Sequence, residues 1–198
     1  MRPESKERSI VSRSRSITLT SVFGALYAAM VIGFAPISNL PVQVRVADIL
    51  LPLAILFGWP MILGLGIGTV VGNLFADSIT GFPSASIGLD IIGGSLANLL
   101  AGLLAWKIGQ QTLLVRRFNI SWLLGSVAET LVISAIVGGY LSVVFSIPVA
   151  ISVLSILVGE IIAINIGGLL LLGILARPRS LELLRSWGQK VYIREKTR

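Results

Sequence analysis

Apolar and polar residues are distributed along this chain in long blocks. Runs of mostly apolar residues are cut by charges, prolines and glycine-containing turns, and a bilayer core of about 30 Å needs roughly 20 helical residues to cross it. Divided on that scale, the pattern predicts six helices, at about residues 17–38, 47–57, 61–77, 89–108, 121–145 and 148–176. The second ends at "GWP" and is too short to span upright. It must tilt, stop partway, or lean on neighbours that satisfy its end groups. Between the third and fourth helices, "SITGFPSASIG" reads as an irregular loop.

Composition agrees with the pattern. Of 198 residues, 55% are hydrophobic and 13% charged, and the mean hydropathy of +0.92 is far too high for a soluble domain of this size. The fold class expected is an all-α integral membrane protein, a six-helix bundle. The basic start followed by an apolar run resembles a secretory signal, but the run is longer than the roughly 7 to 15 residues of a signal core, and more spans follow. A retained helix is expected.

Charge sets the orientation. Arg2, Lys6, Arg8, Arg13 and Arg15 precede the first apolar run, Lys107, Arg116 and Arg117 lie between the fourth and fifth, and a further basic cluster from Arg177 to Arg198 follows the last. Six spans bring all three clusters to one side, which the positive-inside rule makes cytoplasmic, with both termini there. The organisation expected is a basic tail over 1–16, a membrane domain over 17–176 and a basic tail over 177–198, multi-pass in the cell membrane. The net charge of +7 then reflects topology and not nucleic-acid binding. The last segment, "RSWGQKVYIREKTR", mixes basic and aromatic residues as suits an anionic membrane surface, although a solvated, topology-fixing tail explains it more simply.

Cysteine and histidine are both absent, which excludes thiolate and imidazole catalysis, disulfides and the usual zinc sites. No phosphate loop of the G-x-x-x-x-G-K-[ST] type occurs, so the chain does not hydrolyse nucleotide itself. No catalytic residue, cofactor or metal is expected.

Small residues recur every four positions: Gly64, Gly68 and Gly72 on the third helix, Ala97, Ala101 and Ala105 on the fourth, and Ala25 with Ala29 beside Gly24 with Ala28 on the first. Such ridges let helix backbones approach closely. Packing within the bundle accounts for the third and fourth helices. The paired faces on the first make docking of another protein's helices plausible.

Polar residues at depth form the second pattern. Thr69, Asn73 and Asp77 share one stripe of the third helix, and Asp90, Gly94 and Asn98 share one of the fourth. Both run inward from the outer end, as the lining of an outward-opening pocket would. Glu129 and Glu160 fall near the midplane, where a carboxylate must be protonated, paired or hydrated. Asn165 follows Glu160. Each has a bland reading as a polar group bonded to a neighbouring helix.

"PVQVRVADILLP" places Arg45 and Asp48 on the external side, where Arg45 opposes the topology signal and so has a local reason to be there. The expectation is an extended lead-in to the second helix, with Asp48 capping its positive end and Arg45 pairing with Asp48, Asp77 or Asp90.

The segments "GALYAAMVIGFAPIS", "VQVRVADIL", "GLGIGTVVGNLF", "LDIIGGSLANLLAGLLAWKI" and "LVGEIIAINIGG" together resemble the QueT family, regarded as substrate-binding S components of energy-coupling factor (ECF) transporters for queuosine precursors. The resemblance runs from the first helix to the sixth and leaves out both basic tails. It departs at "RVAD", where the family pattern more often has Arg, an aliphatic, Ser and Glu.

The resemblance implies a six-helix vitamin-uptake protein that binds a small-molecule substrate from outside. Its Ala25 and Ala29 would meet coupling helices of a transmembrane T subunit, while two separate ATPase subunits supply the energy. It would reorient in the membrane lipid on docking. A 7-deazaguanine presents two adjacent donors, which one carboxylate accepts together. Asp90 or Glu160 fits that role, Asn73 or Asn98 would serve the carbonyl or ring nitrogens, and Gln43 and Arg45 would close a lid. Asp48, Asp77, Glu129 and Asn165 are secondary candidates.

A standalone ion-coupled secondary carrier, with Glu129 and Glu160 as proton sites, is the alternative. The halves 17–77 and 89–176 show no convincing internal repeat, which weighs against it. An intramembrane enzyme ranks third.

Overall fold

The structure is a computed structural model that describes residues 3–38, 44–111, 113–115 and 118–192. Five helices are long and apolar enough to cross a membrane. They lie within α1 (Pro3–Gly33), α4 (Trp59–Thr80), α5 (Ile87–Gly109, entered through a 3-10 turn at Ser84–Ser86), α6 (Ile120–Val144) and a composite last helix. The composite consists of α7 (Val149–Glu160), a π-helical segment (Ile161–Gly168) and α8 (Leu169–Leu175). A short turn, α2 (Ala35–Ser38), follows α1, and a hairpin of β1 (Leu114–Val115) and β2 (Phe118–Asn119) joins α5 to α6. Val143, Ile92, Ile151 and Leu170 are among the large apolar side chains left on the outside, as a lipid-facing surface requires.

The predicted second helix is a 3-10 segment (Val46–Leu53) running into α3 (Ala54–Phe57). It sits inside the bundle: Leu51, Ala54, Ile55 and Leu56 have no exposed surface. This resolves its shortness. An irregular backbone at membrane depth is tolerated where protein surrounds it and supplies partners for its end groups. Here Gln110 Nε2 donates to the Ile55 carbonyl at 3.0 Å and Tyr192 N to the Leu56 carbonyl at 3.0 Å. Gly58, at φ 65°, makes the break before Trp59 and Pro60 open α4. With ψ at −140°, that φ suits a residue without Cβ.

The glycine ridge of α4 is the seam with α1. A Cβ at Gly64 would lie 2.8 Å from the Thr20 carbonyl oxygen, one at Gly68 2.6 Å from that of Gly24, and one at Gly72 2.8 Å from Val31 Cβ. Ala97, Ala101 and Ala105 are fully buried on α5. On α1 the two small faces part company: Gly24 and Ala28 turn into the bundle, while Ala25 and Ala29 are exposed.

Three expectations are corrected. The first helix breaks at Phe34 instead of running on to Ser38, since Pro36 has no N–H to donate and crowds the preceding turn. The predicted loop "SITGFPSASIG" is mostly helical: α4 continues to Thr80, Gly81 at φ 76° terminates it, and Ser84–Ser86 already leads into α5. The segment after the last span is not merely a solvated tail, because α9 (Pro178–Ser186) packs Leu181 into the bundle.

Candidate functional site

At the end of the bundle where α4 finishes and α5 begins, a small cavity opens. Arg45, Asp48, Asp77, Asp90 and Glu160 line it, together with Phe82 and the apolar side chains of α6 and α7. Five residues from four separate stretches of sequence therefore converge. Four are acidic and one is basic, in a setting where an unpaired charge costs at least a few kcal/mol.

The α5 wall is built around Asp90, which is 3% exposed. Its Oδ1 accepts from Tyr140 Oη at 2.7 Å, and its Oδ2 accepts from Asn73 Nδ2. Asn73 Nδ2 also reaches the Asp90 carbonyl at 3.2 Å. The glycine pair after Asp90 makes room for both donors. A Cβ at Gly93 would lie 2.7 Å from the Tyr140 ring, and one at Gly94 2.9 Å from Asn73 Nδ2. Asp77 lines the cavity beside Asp90. Asp77 Oδ2 and Asn73 Oδ1 are buried without a partner among the described residues.

The floor is built around Asp48. Tyr27 Oη donates to Asp48 Oδ1 and accepts from Asn98 Nδ2 at 2.7 Å. Asn98 Nδ2 also donates to Thr69 Oγ1 at 2.7 Å, and Thr69 Oγ1 donates to the Leu65 carbonyl at 2.8 Å. Glu160 lines the same cavity as Asp48, and its Oε2 is buried without a partner among the described residues. Arg45 lines the same cavity as the basic residue among these carboxyl groups.

Asp48 does not cap the second helix as expected. The capping position is Arg45, with no side-chain cap, and Asp48 sits inside the first turn. The buried hydroxyl of Tyr27 is the stronger claim on its carboxyl. Of the other candidates, Asn73 and Asn98 brace the carboxylates from behind, and Gln43 lies outside the described residues. Glu129 and Asn165 do not line the cavity. Glu129 is fully buried with both carboxyl oxygens unpartnered among the described residues, and Asn165 Oδ1 accepts from Thr130 Oγ1 at 2.7 Å.

Two site residues escaped the sequence reading, Tyr27 and Tyr140. Each is an aromatic in an apolar run, where ring burial is the ordinary explanation. The available signal was a phenol hydroxyl that, once buried, needs a partner, on helices whose neighbours carry carboxylates.

A family model described as QueT transporter matches residues 17–177. No curated protein and no solved structure matches the chain.

Proposed function

The chain belongs to the QueT transporter family, and on that premise we propose that it is the S component of an ECF-type importer. In this reading it binds a queuosine precursor of the 7-deazaguanine class from outside the cell membrane. It is not an enzyme, and it moves its substrate only when docked on a T subunit powered by two ATPase subunits. The short buried segment at Val46–Phe57 counts as the sixth membrane-embedded helix, and both basic termini face the cytoplasm.

The observation that carries the reading is the acceptor-rich cavity. Asp77 Oδ2 and Glu160 Oε2 belong to lining residues and lack donors among the described residues. A deazaguanine supplies adjacent N–H donors to such oxygens, and its carbonyl is an acceptor that Arg45 can serve. Asp90, already holding Tyr140 and Asn73, is better suited to organising the wall than to taking the donor edge. Glu160 is the better partner for that edge.

The test is thermal stabilisation of the detergent-purified chain against deazaguanines, guanine and common vitamins, with co-purification of the T subunit and ATPases. Stabilisation by a deazaguanine alone supports the substrate. Stabilisation by an unrelated vitamin removes it, and isolation without the other subunits, with uptake intact, removes the S-component reading.

Glu129 favours the second reading, an ion-coupled carrier, because its buried carboxyl, without a partner among the described residues, is what a proton site would look like. Uptake by the lone reconstituted chain, driven by a proton gradient, would establish it.

A further inference from the structure

The segment 178–192 lies beyond the residues matched by the family model, yet it is held against the bundle. Tyr192 N donates to the Leu56 carbonyl, its ring stacks edge-on with Trp106 at 5.5 Å between centroids, and Arg15 donates to the Gly188 carbonyl at 3.2 Å. Both ends of the segment are thus fixed, one by the last span and one by these contacts.

Between them, α9 is apolar on two edges. Leu181 is 6% exposed and packs with Leu184 on the bundle, whereas Leu183 and Trp187, four residues apart, are 50% and 63% exposed. The bundle therefore covers only one of the two edges. α9 starts three residues after the last span ends at Leu175, so it lies at the level where hydrocarbon gives way to headgroups. Among the described residues 177–192 the exposed cations are Arg177, Arg179, Arg185 and Lys190, joined by Arg15 of α1 at Gly188, and Glu182 is the exposed acid.

We propose that α9 and the segment after it form an interfacial binding surface for anionic phospholipid. Leu183 and Trp187 enter the acyl boundary, and Arg177, Arg179 and Lys190 meet the headgroups. A helix with an apolar edge and flanking cations at this depth matches that partner in charge and in polarity. The tether through Tyr192 and Gly188 holds the surface in place before lipid binds, which reduces the ordering cost.

The test uses the full purified chain in nanodiscs of phosphatidylcholine with or without phosphatidylglycerol. Phosphatidylglycerol is expected to raise the unfolding temperature by at least about 4 °C, and the triple variant R177Q/R179Q/K190Q to lose most of that rise. Trp187→Ala should lose part of it. An equal rise in the triple variant, or the same rise produced by inorganic phosphate in phosphatidylcholine alone, overturns the proposal. So does an unaltered lipid response accompanied by weakened capture of a T subunit, which would make the surface a protein contact. Should the triple variant fail to fold, native mass spectrometry of the unaltered chain decides: preferential retention of phosphatidylglycerol supports the proposal, and equal retention of both lipids refutes it.

Discussion

The Tyr27 hydroxyl and the Asp48 carboxyl are hydrogen bonded in the interior of the bundle, with the two residues 0% and 1% exposed. This contact ties α1, whose other faces meet α4 and the surroundings, to the buried 3-10 segment beside the cavity. Because Asn98 and Thr69 continue the chain of bonds, one phenol links three helices to the floor of the site. Tyr27→Phe preserves the ring packing and removes the hydroxyl. It should cost about 1–3 kcal/mol of stability, the penalty for leaving buried polar groups unsatisfied, and weaken ligand several-fold. Thermal unfolding with and without ligand checks both effects, and an unchanged response in each would remove the floor network from the account.

Gly94→Ala tests the α5 wall. Its Cβ would fall 2.9 Å from Asn73 Nδ2 and 3.3 Å from Thr69 Cγ2, so Asn73 must move and its bond to Asp90 is lost. Affinity should fall about tenfold, equivalent to one hydrogen bond to a charged group. Gly139→Ala is the control, since nothing lies within 4 Å of a Cβ there, and calorimetric titration should find it unaltered.

Among the described residues Arg45 is the one cation lining the cavity, which it shares with four carboxyl groups. Arg45→Ala should speed ligand release at least tenfold, because the wall and floor lose the charge that holds their carboxylates in place. Stopped-flow displacement measures this. A normal dissociation rate would reduce Arg45 to a structural residue.

Ala25 and Ala29 are exposed on α1 while Gly24 and Ala28 are buried against α4. Ala25→Leu with Ala29→Leu should therefore leave the bundle and ligand affinity intact and abolish uptake by the assembled transporter. Parallel binding and uptake assays separate the two, and normal uptake would dismiss this face as the docking surface.

Much of the architecture was legible because span length is dictated by bilayer thickness. The ends of α5 at Ile87 and Gly109 and of α6 at Ile120 and Val144 lie within two residues of the boundaries read from apolar runs and charges. The carboxylates of the site were legible too, since a polar stripe such as Asn73 and Asp77 on an apolar helix has few other uses.

Helix type was not legible. In an α-helix Glu160 and Asn165, five residues apart, point about 140° from each other. The wider π-helical turn at Ile161–Gly168 brings them closer to one face, where Asn165 meets Thr130. The same segment packs closely on the 3-10 segment, where a Cβ at Gly168 would fall 2.7 Å from Pro52 Cγ. No local pattern around "INIGG" announces it. The docking of Tyr192 under Leu56 was hidden for the same reason, because it joins residues with no shared periodicity.

Glu160→Gln addresses the central claim, that this cavity binds a deazaguanine through the Glu160 carboxylate, whose Oε2 has no partner among the described residues. The substitution keeps the shape of the side chain and replaces one acceptor oxygen with an amide that cannot take a second donor. The measurement is the equilibrium affinity of the purified, correctly inserted variant for its deazaguanine. The account predicts a loss of more than tenfold with membrane insertion and folding intact, and an affinity equal to that of the unaltered chain would contradict it.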